Sequence, residues 1–273
     1  MKGNASLPIG VFDSGVGGIS VLAQLITLMP NEGYIYYGDS LNAPYGIKET
    51  REVMEQSLKV ADILVKKGIK LLVVACNTAT SAAIIRLRED LDIPVIGMEP
   101  ALKPAVKLNQ GKKILVMATP VTLKEKKFSD LIQLFKDTTG IIKLPCPGLV
   151  EIIEKNGSTS RELEYYLLEL FKNIDFKQIS TIVLGCTHYV FIKDTIQHIV
   201  GKDISLIDGN YGTALHIKSI IEPKVKSLSK EIDQTTDVHL LNSNPTKDML
   251  ILSKRLLSEE LQKLQHKGSI NYI

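Results

Sequence analysis

Short apolar, β-branched runs alternate with helical patterns along all 273 residues. That alternation constrains the fold more than any other feature, because βα units close most simply around a mostly parallel sheet flanked by helices. The expected class is α/β. Strands are expected at Ile9 to Phe12, Tyr34 to Tyr37, Ile69 to Ala75, Pro94 to Met98, Ile114 to Ala118, near Ile142 to Leu144, Thr181 to Leu184, Ser205 to Ile207 and Val238 to Leu241. Among the intervening helices, one keeps Val53, Ser57, Val60, Ala61 and Leu64 on a face and ends at Gly68. Others run from about Thr80 to Leu91, near Ala101 to Leu108, after a Ser160 cap and after Gly212. The last has Asn244 as N-cap and Pro245 at N1, with Leu250, Leu257, Leu261 and Leu264 on one stripe.

Apolar residues make up 44% and charged residues 23%, which suits a globular protein and excludes wholesale disorder. The net charge of +3 is spread without long runs of either sign, so neither nucleic acid nor a membrane is expected as a partner. The longest unbroken apolar stretch, Leu71 to Cys76, falls far short of the roughly 20 residues a membrane helix needs. The N-terminal apolar run follows a single lysine, Lys2, and is broken by Asp13 and glycines; it does not read as a secretory signal, and a cytoplasmic location is expected. Three cysteines without a C-x-x-C pair argue against a disulfide framework or a cysteine-rich zinc site. No histidine pair has metal-ligand spacing, so no metal is expected.

Two segments repeat at a distance. Ile9 to Ser14 is similar to Ile114 to Thr119, and Leu72 to Thr78 to Ile182 to His188; Asp13 precedes Cys76 by 63 residues and Thr119 precedes Cys186 by 67. A duplicated α/β lobe with one cysteine per copy is the expected organisation. Each of these cysteines ends a buried strand, the sheet edge where α/β proteins bind ligands. Each also precedes a hydrogen-bonding pair, Asn77-Thr78 or Thr187-His188, beside a helix start that favours an anion or a thiolate. A cysteine alone is more often a small buried hydrophobe; the equivalent placement of two favours function. Cys146, between two prolines, reads as structural. Asp13 to Gly18 is a polar, Gly-rich turn that fits neither a phosphate loop nor the dinucleotide fingerprint, and Asp13 could simply cap the next helix. Gly38-Asp39 and Pro44-Tyr45-Gly46 form a second polar loop. Of five histidines, only His188 lies in this setting.

Taken together, FDSGVGG (Phe12 to Gly18), YGD with PYG (Tyr37 to Asp39, Pro44 to Gly46), ACNTAT (Ala75 to Thr80), EPA (Glu99 to Ala101), PCPGLVEIIE (Pro145 to Glu154) and LGCTHY (Leu184 to Tyr189) resemble the glutamate racemases of the cofactor-independent aspartate/glutamate racemase superfamily. The resemblance runs from about residue 8 to 255. Thr80 stands where the family usually has Ser, Val190 where it has Pro, and Tyr211 near a commonly acidic position. The resemblance implies two similar lobes facing across a cleft, the first of residues 1–98 plus 209–273 and the second of 99–208. It further implies no cofactor, a homodimer, and glutamate as substrate, with aspartate or a broader amino-acid range as the alternative. A two-lobed amino-acid-binding protein without turnover is the competitor from another class; it would not need the cysteines.

Inverting an α-carbon requires a proton removed from one face and another delivered to the opposite face, so two acid/base groups must flank the substrate. A free thiol titrates at ~8.5, and modest stabilisation of the thiolate makes a usable base. By resemblance, Cys76 takes the proton from D-glutamate and Cys186 from L-glutamate. Asp13 assists Cys76, Asp39 tunes that side, and His188 with Glu154 (or Glu151, one turn earlier) assists Cys186. Asp13, Ser14, Pro44, Tyr45, Gly46, Asn77, Thr78, Thr119, Thr122, Thr187 and His188 are the substrate contacts the family implies, and the backbone and side-chain donors among them must stabilise the developing carbanion without a metal.

Overall fold

The computed structural model describes residues 6–98, 100–109, 111–135, 140–221, 235–266 and 268–273; Glu99 of the EPA motif lies outside them. Among the described residues ten strands form two sheets, with every pairing parallel. They are β1 (Ile9–Asp13), β2 (Tyr34–Gly38), β3 (Leu71–Val74), β4 (Val95–Gly97), β5 (Lys113–Ala118), β6 (Ile141–Pro145), β7 (Ile179–Leu184), β8 (Ser205–Asp208), β9 (Thr235–Asn242) and β10 (Ser269–Tyr272). The first sheet runs β10-β9-β2-β1-β3-β4 and the second β6-β5-β7-β8. The order β2-β1-β3-β4 is therefore reproduced as β6-β5-β7-β8, which is the duplication visible in the sequence. The chain's tail supplies β9 and β10, which extend the first sheet beyond β2.

The helices are α1 (Ile19–Leu28), α2 (Thr50–Lys66), α3 (Asn77–Asp90), α4 (Leu102–Leu108), α5 (Pro120–Lys124), α6 (Lys126–Gln133), α7 (Leu149–Asn156), α8 (Arg161–Phe171), α9 (Lys193–Val200), α10 (Asn210–Ile221) and α11 (Lys247–Lys263). Helix α2 buries Val53, Ser57, Val60, Ala61 and Leu64, the expected face, with the Ser57 hydroxyl turned back onto the Val53 carbonyl at 2.7 Å. Each large aliphatic residue on such a face contributes roughly 1.5–3 kcal/mol on burial. Helix α1 is different: every residue from Ile19 to Ile26 is buried, because the helix packs against α10, α11 and the 3₁₀ segment Thr187–Ile192. A helix apolar nearly all round belongs in a core, and here that core joins the two sheets.

Several expected boundaries move. Helix α3 starts at Asn77, with Cys76 as its N-cap, so the polar pair after the cysteine forms the first helical turn. Asn244 does not cap α11: its backbone N–H donates to Asn242 Oδ1 at 2.8 Å in a local turn, and Thr246 caps instead, accepting from Met249 N at 3.3 Å. Leu250 leaves the expected stripe and is exposed, while Leu257 and Leu261 are buried. Helix α10 begins at Asn210 rather than after Gly212. Cys186 is followed by a 3₁₀ segment, Thr187–Ile192, instead of an α-helix; among the described residues no backbone N–H caps its sulfur, and the anion-favouring helix start expected there is replaced by a side chain, the His188 ring.

Candidate active site

Parallel register brings the site together. Asp13 pairs with Gly38 at the ends of β1 and β2, Cys76 follows β3, Thr119 follows β5 and Cys186 follows β7. The carboxyl ends of both sheets thus open on one cleft, lined by Ser14, Pro44, Tyr45, Gly46, Asn77, Thr78, Thr119, Cys76, Cys186, Thr187 and His188, with Glu151 and Glu154 at its border. It encloses about 30 Å³, room for about two waters.

On the first side, Cys76 is 5% exposed. Its thiol donates to Ser14 Oγ at 3.4 Å, and its sulfur accepts from Ala79 N at 3.4 Å. Burial first, and the Asp13 carboxylate second, push the Cys76 thiol up to about 12, against the opposing effect of those two hydrogen bonds. The thiolate stabilisation expected from the sequence is therefore reversed: low polarity outweighs the helix start, and Cys76 stands as a protonated thiol. Asp13 makes no hydrogen bond to that sulfur among the described residues. Its Oδ1 accepts from Gly15 N at 3.0 Å and its Oδ2 from Thr187 Oγ1 at 3.1 Å, across the cleft. Burial raises the Asp13 carboxyl above its usual range, opposed by His188, by Gly15 and Gly18 N–H groups and by Thr187. Asp39 lies behind the cleft wall, accepting from Tyr45 Oη at 2.6 Å and Asn42 Nδ2 at 2.9 Å, so it reaches the cleft through Tyr45.

On the second side, Cys186 is 8% exposed and its sulfur lies 4.0 Å from His188 Nδ1. His188 Nε2 meets Glu154 Oε1 at 2.7 Å, which distinguishes Glu154 from Glu151. Burial works against a charged imidazole, but the bonds to Cys186 and Glu154 and their charges outweigh it and hold His188 well above its ordinary value. Burial likewise opposes the Glu154 carboxylate, yet His188 and the Val16 N–H hold it below the usual range. The pair is an imidazolium and a carboxylate, and it places a positive charge beside the Cys186 sulfur. Thr78, Thr119 and Thr122 close one end with mutual hydroxyl bonds of 2.9–3.2 Å. Asn77 Oδ1 is buried without a hydrogen-bond partner among the described residues, an acceptor open to an ammonium group. Cys146 also borders the cleft, but its thiol donates to the Leu144 carbonyl at 3.3 Å and burial pushes it up to about 12.

The ion pair has a pH signature. The contribution of His188, whose folded value is raised, is complete below its ordinary value of 6.5 and is lost as pH rises through the folded value. That of Glu154, whose folded value is lowered, is complete above 4.5 and is lost as pH falls through the folded value. Wild type should therefore exceed Glu154→Gln in stability most between those two values, by about 1–3 kcal/mol. Denaturant melts across pH, with the His188 ring followed by NMR, check this: its titration should move down in the variant, and an unmoved titration would remove Glu154 as its partner.

Two contributors escaped the sequence reading. Ser20 Oγ donates to the Thr187 carbonyl at 3.3 Å, and Asn210 Nδ2 donates to Ser20 Oγ at 3.1 Å. Ser20 is one of three polar residues, with Gln24 and Thr27, on the mostly apolar α1, a visible signal but not a specific one. Asn210, at a helix start, offers none that separates it from an ordinary cap.

A model of the Asp/Glu/hydantoin racemase family matches residues 9–217. A glutamate racemase of Clostridium botulinum (strain Langeland) is 51% identical over 252 residues, covering 92% of this chain and 97% of its own. The crystal structure of a glutamate racemase isoform from Bacillus anthracis superposes with a TM-score of 0.82 at 26% identity, covering 99% of this chain and 98% of that one. That of a Francisella tularensis glutamate racemase in complex with D-glutamate gives 0.79 at 26% identity, with 98% of both chains covered.

Proposed function

The chain belongs to the Asp/Glu/hydantoin racemase family and is an amino-acid racemase, and from that premise we propose that it interconverts L- and D-glutamate by proton transfer between two cysteines. The observation that carries this reading is the placement of Cys76 and Cys186 on one cleft from equivalent strands of a duplicated sheet. In the L-to-D direction, the Cys186 thiolate beside the His188 imidazolium takes the Cα proton. The Cys76 thiol gives its proton to the opposite face, leaving Cys186 protonated and Cys76 as thiolate. The reverse reaction starts from that second state, and bulk water returns the enzyme from one to the other.

The other roles follow from geometry and chemistry. Asn77 Oδ1 accepts from the substrate ammonium, whose positive charge in turn favours the thiolate forms. Ser14, the Tyr45-Gly46 backbone with Pro44, Thr78, Thr119, Thr122 and Thr187 hold the carboxylates and stabilise the developing carbanion. Asp13 links the first side to Thr187, and Asp39 fixes the Tyr45 ring. The lobes are residues 1–98 with 209–273 and residues 99–208; the working form is a homodimer in the cytoplasm; D-glutamate goes to peptidoglycan.

Incubating the pure protein with L-glutamate, and separately with L-aspartate, without added cofactor tests the substrate. D-Glutamate should accumulate on a chiral column until the enantiomers are equal. Turnover of aspartate alone would reassign the substrate.

A further inference from the structure

We propose that Ser20 and Asn210 form a clamp at the joint of the two lobes that sets the separation of the two sulfurs, making both of them positioning residues of the racemase. The proposal rests on the two-cysteine reading above. Ser20 is 2% exposed and Asn210 6%, and a buried hydroxyl or amide is tolerated only when bonded. The Ser20 hydroxyl is shared between the carbonyls of Gly17, at 2.9 Å, and Thr187, at 3.3 Å. A serine hydroxyl has a single hydrogen. By donating from Nδ2 to the Ser20 oxygen at 3.1 Å, Asn210 occupies a lone pair and leaves that hydrogen aimed at the two carbonyls.

Those carbonyls come from opposite sheets: Gly17 lies in the turn after β1 and Thr187 follows β7. Gly17 lies in the turn that also carries Ser14, the acceptor for the Cys76 thiol, whereas Thr187 is the neighbour of Cys186. The Thr187 side chain is tied in turn to Asp13. The clamp therefore couples the support of one sulfur to the backbone beside the other, from buried positions behind the cleft. Racemisation needs both sulfurs aligned with one Cα, and misplacement by ~1 Å can cost about 10²-fold. A reaction needing a single sulfur lacks that sensitivity.

Loss of HCl from a β-chloro analogue of glutamate is such a reaction: one thiolate takes the Cα proton and chloride leaves Cβ. The test compares Ser20→Ala and Asn210→Asp with wild type; in the second variant a carboxylate accepts the hydroxyl and turns it away from the carbonyls. In both, kcat for racemisation should fall about 10–100-fold in both directions with KM little changed. Chloride release from the L-analogue, which uses Cys186, and from the D-analogue, which uses Cys76, should fall less than about threefold on the same grounds. Equal losses in racemisation and elimination, or no loss of racemisation, would overturn the clamp. Should Ser20→Ala not fold, Asn210→Asp decides on the same readout. Failure of the underlying two-cysteine reading shows elsewhere, as racemisation that survives Cys76→Ser or Cys186→Ser.

Discussion

Cys76→Ser and Cys186→Ser are each expected to abolish racemisation, by at least the 10²–10⁴-fold typical of a lost acid/base group, while leaving opposite halves of the chemistry. A serine hydroxyl is too weak an acid to provide a comparable base near neutral pH. Cys76→Ser should still release chloride from the L-form of a β-chloro substrate analogue through Cys186, and Cys186→Ser from the D-form through Cys76. The two should also differ in pH dependence. Burial and Asp13 push the Cys76 thiol up to about 12, so the D-reaction of Cys186→Ser should keep rising into alkaline pH. Chiral assay of each variant on each analogue checks all of this; the same enantiomer preferred by both variants would refute the assignment of faces.

Gly17→Ala should be nearly as damaging without touching a reacting group. A Cβ at Gly17 would lie 2.3 Å from His188 Nδ1, 2.4 Å from Thr187 Oγ1 and 2.6 Å from His188 Cε1. These atoms cannot yield cheaply, because His188 is held by Glu154 and Thr187 by Asp13. The imidazole must move away from Cys186 or the lobes must separate, so racemisation should fall by about 10²-fold or more and stability by about 1–3 kcal/mol. Gly212→Ala is the contrast. It lies within α10 with nothing within 4 Å of a Cβ, and alanine there should add roughly 0.5–1 kcal/mol. Thermal melts and chiral assay of the two variants together test whether close approach, rather than glycine content, matters at Gly17; equal behaviour would contradict it.

The strands are legible because each is a compact apolar run between turn residues, and the repeat of Asp13…Cys76 as Thr119…Cys186 points to the doubled sheet. What local sequence could not supply was competition between nearby partners. Asn244-Pro245 reads as a helix start, but Asn242 takes the Asn244 N–H and the start moves to Thr246. β10 is four residues, Ser269–Tyr272, with too little alternation to stand out, and only its pairing with β9 makes it a strand. At the site, residue types and spacing located both cysteines and their neighbours. The sign of the Cys76 shift was not legible, since it depends on how completely the second half of the chain covers the first. Ser20 and Asn210 matter only through residues 167 and 190 positions away.

The two-cysteine mechanism is tested most directly by running wild-type enzyme on L-glutamate in D₂O and stopping early. Each proton delivered comes from the cysteine opposite the one that removed a proton. The D-glutamate formed should therefore carry deuterium at Cα, while the L-glutamate recovered still carries protium. Protium retained in the D-glutamate, or deuterium appearing equally in both enantiomers, would mean that one base serves both faces and would contradict the account.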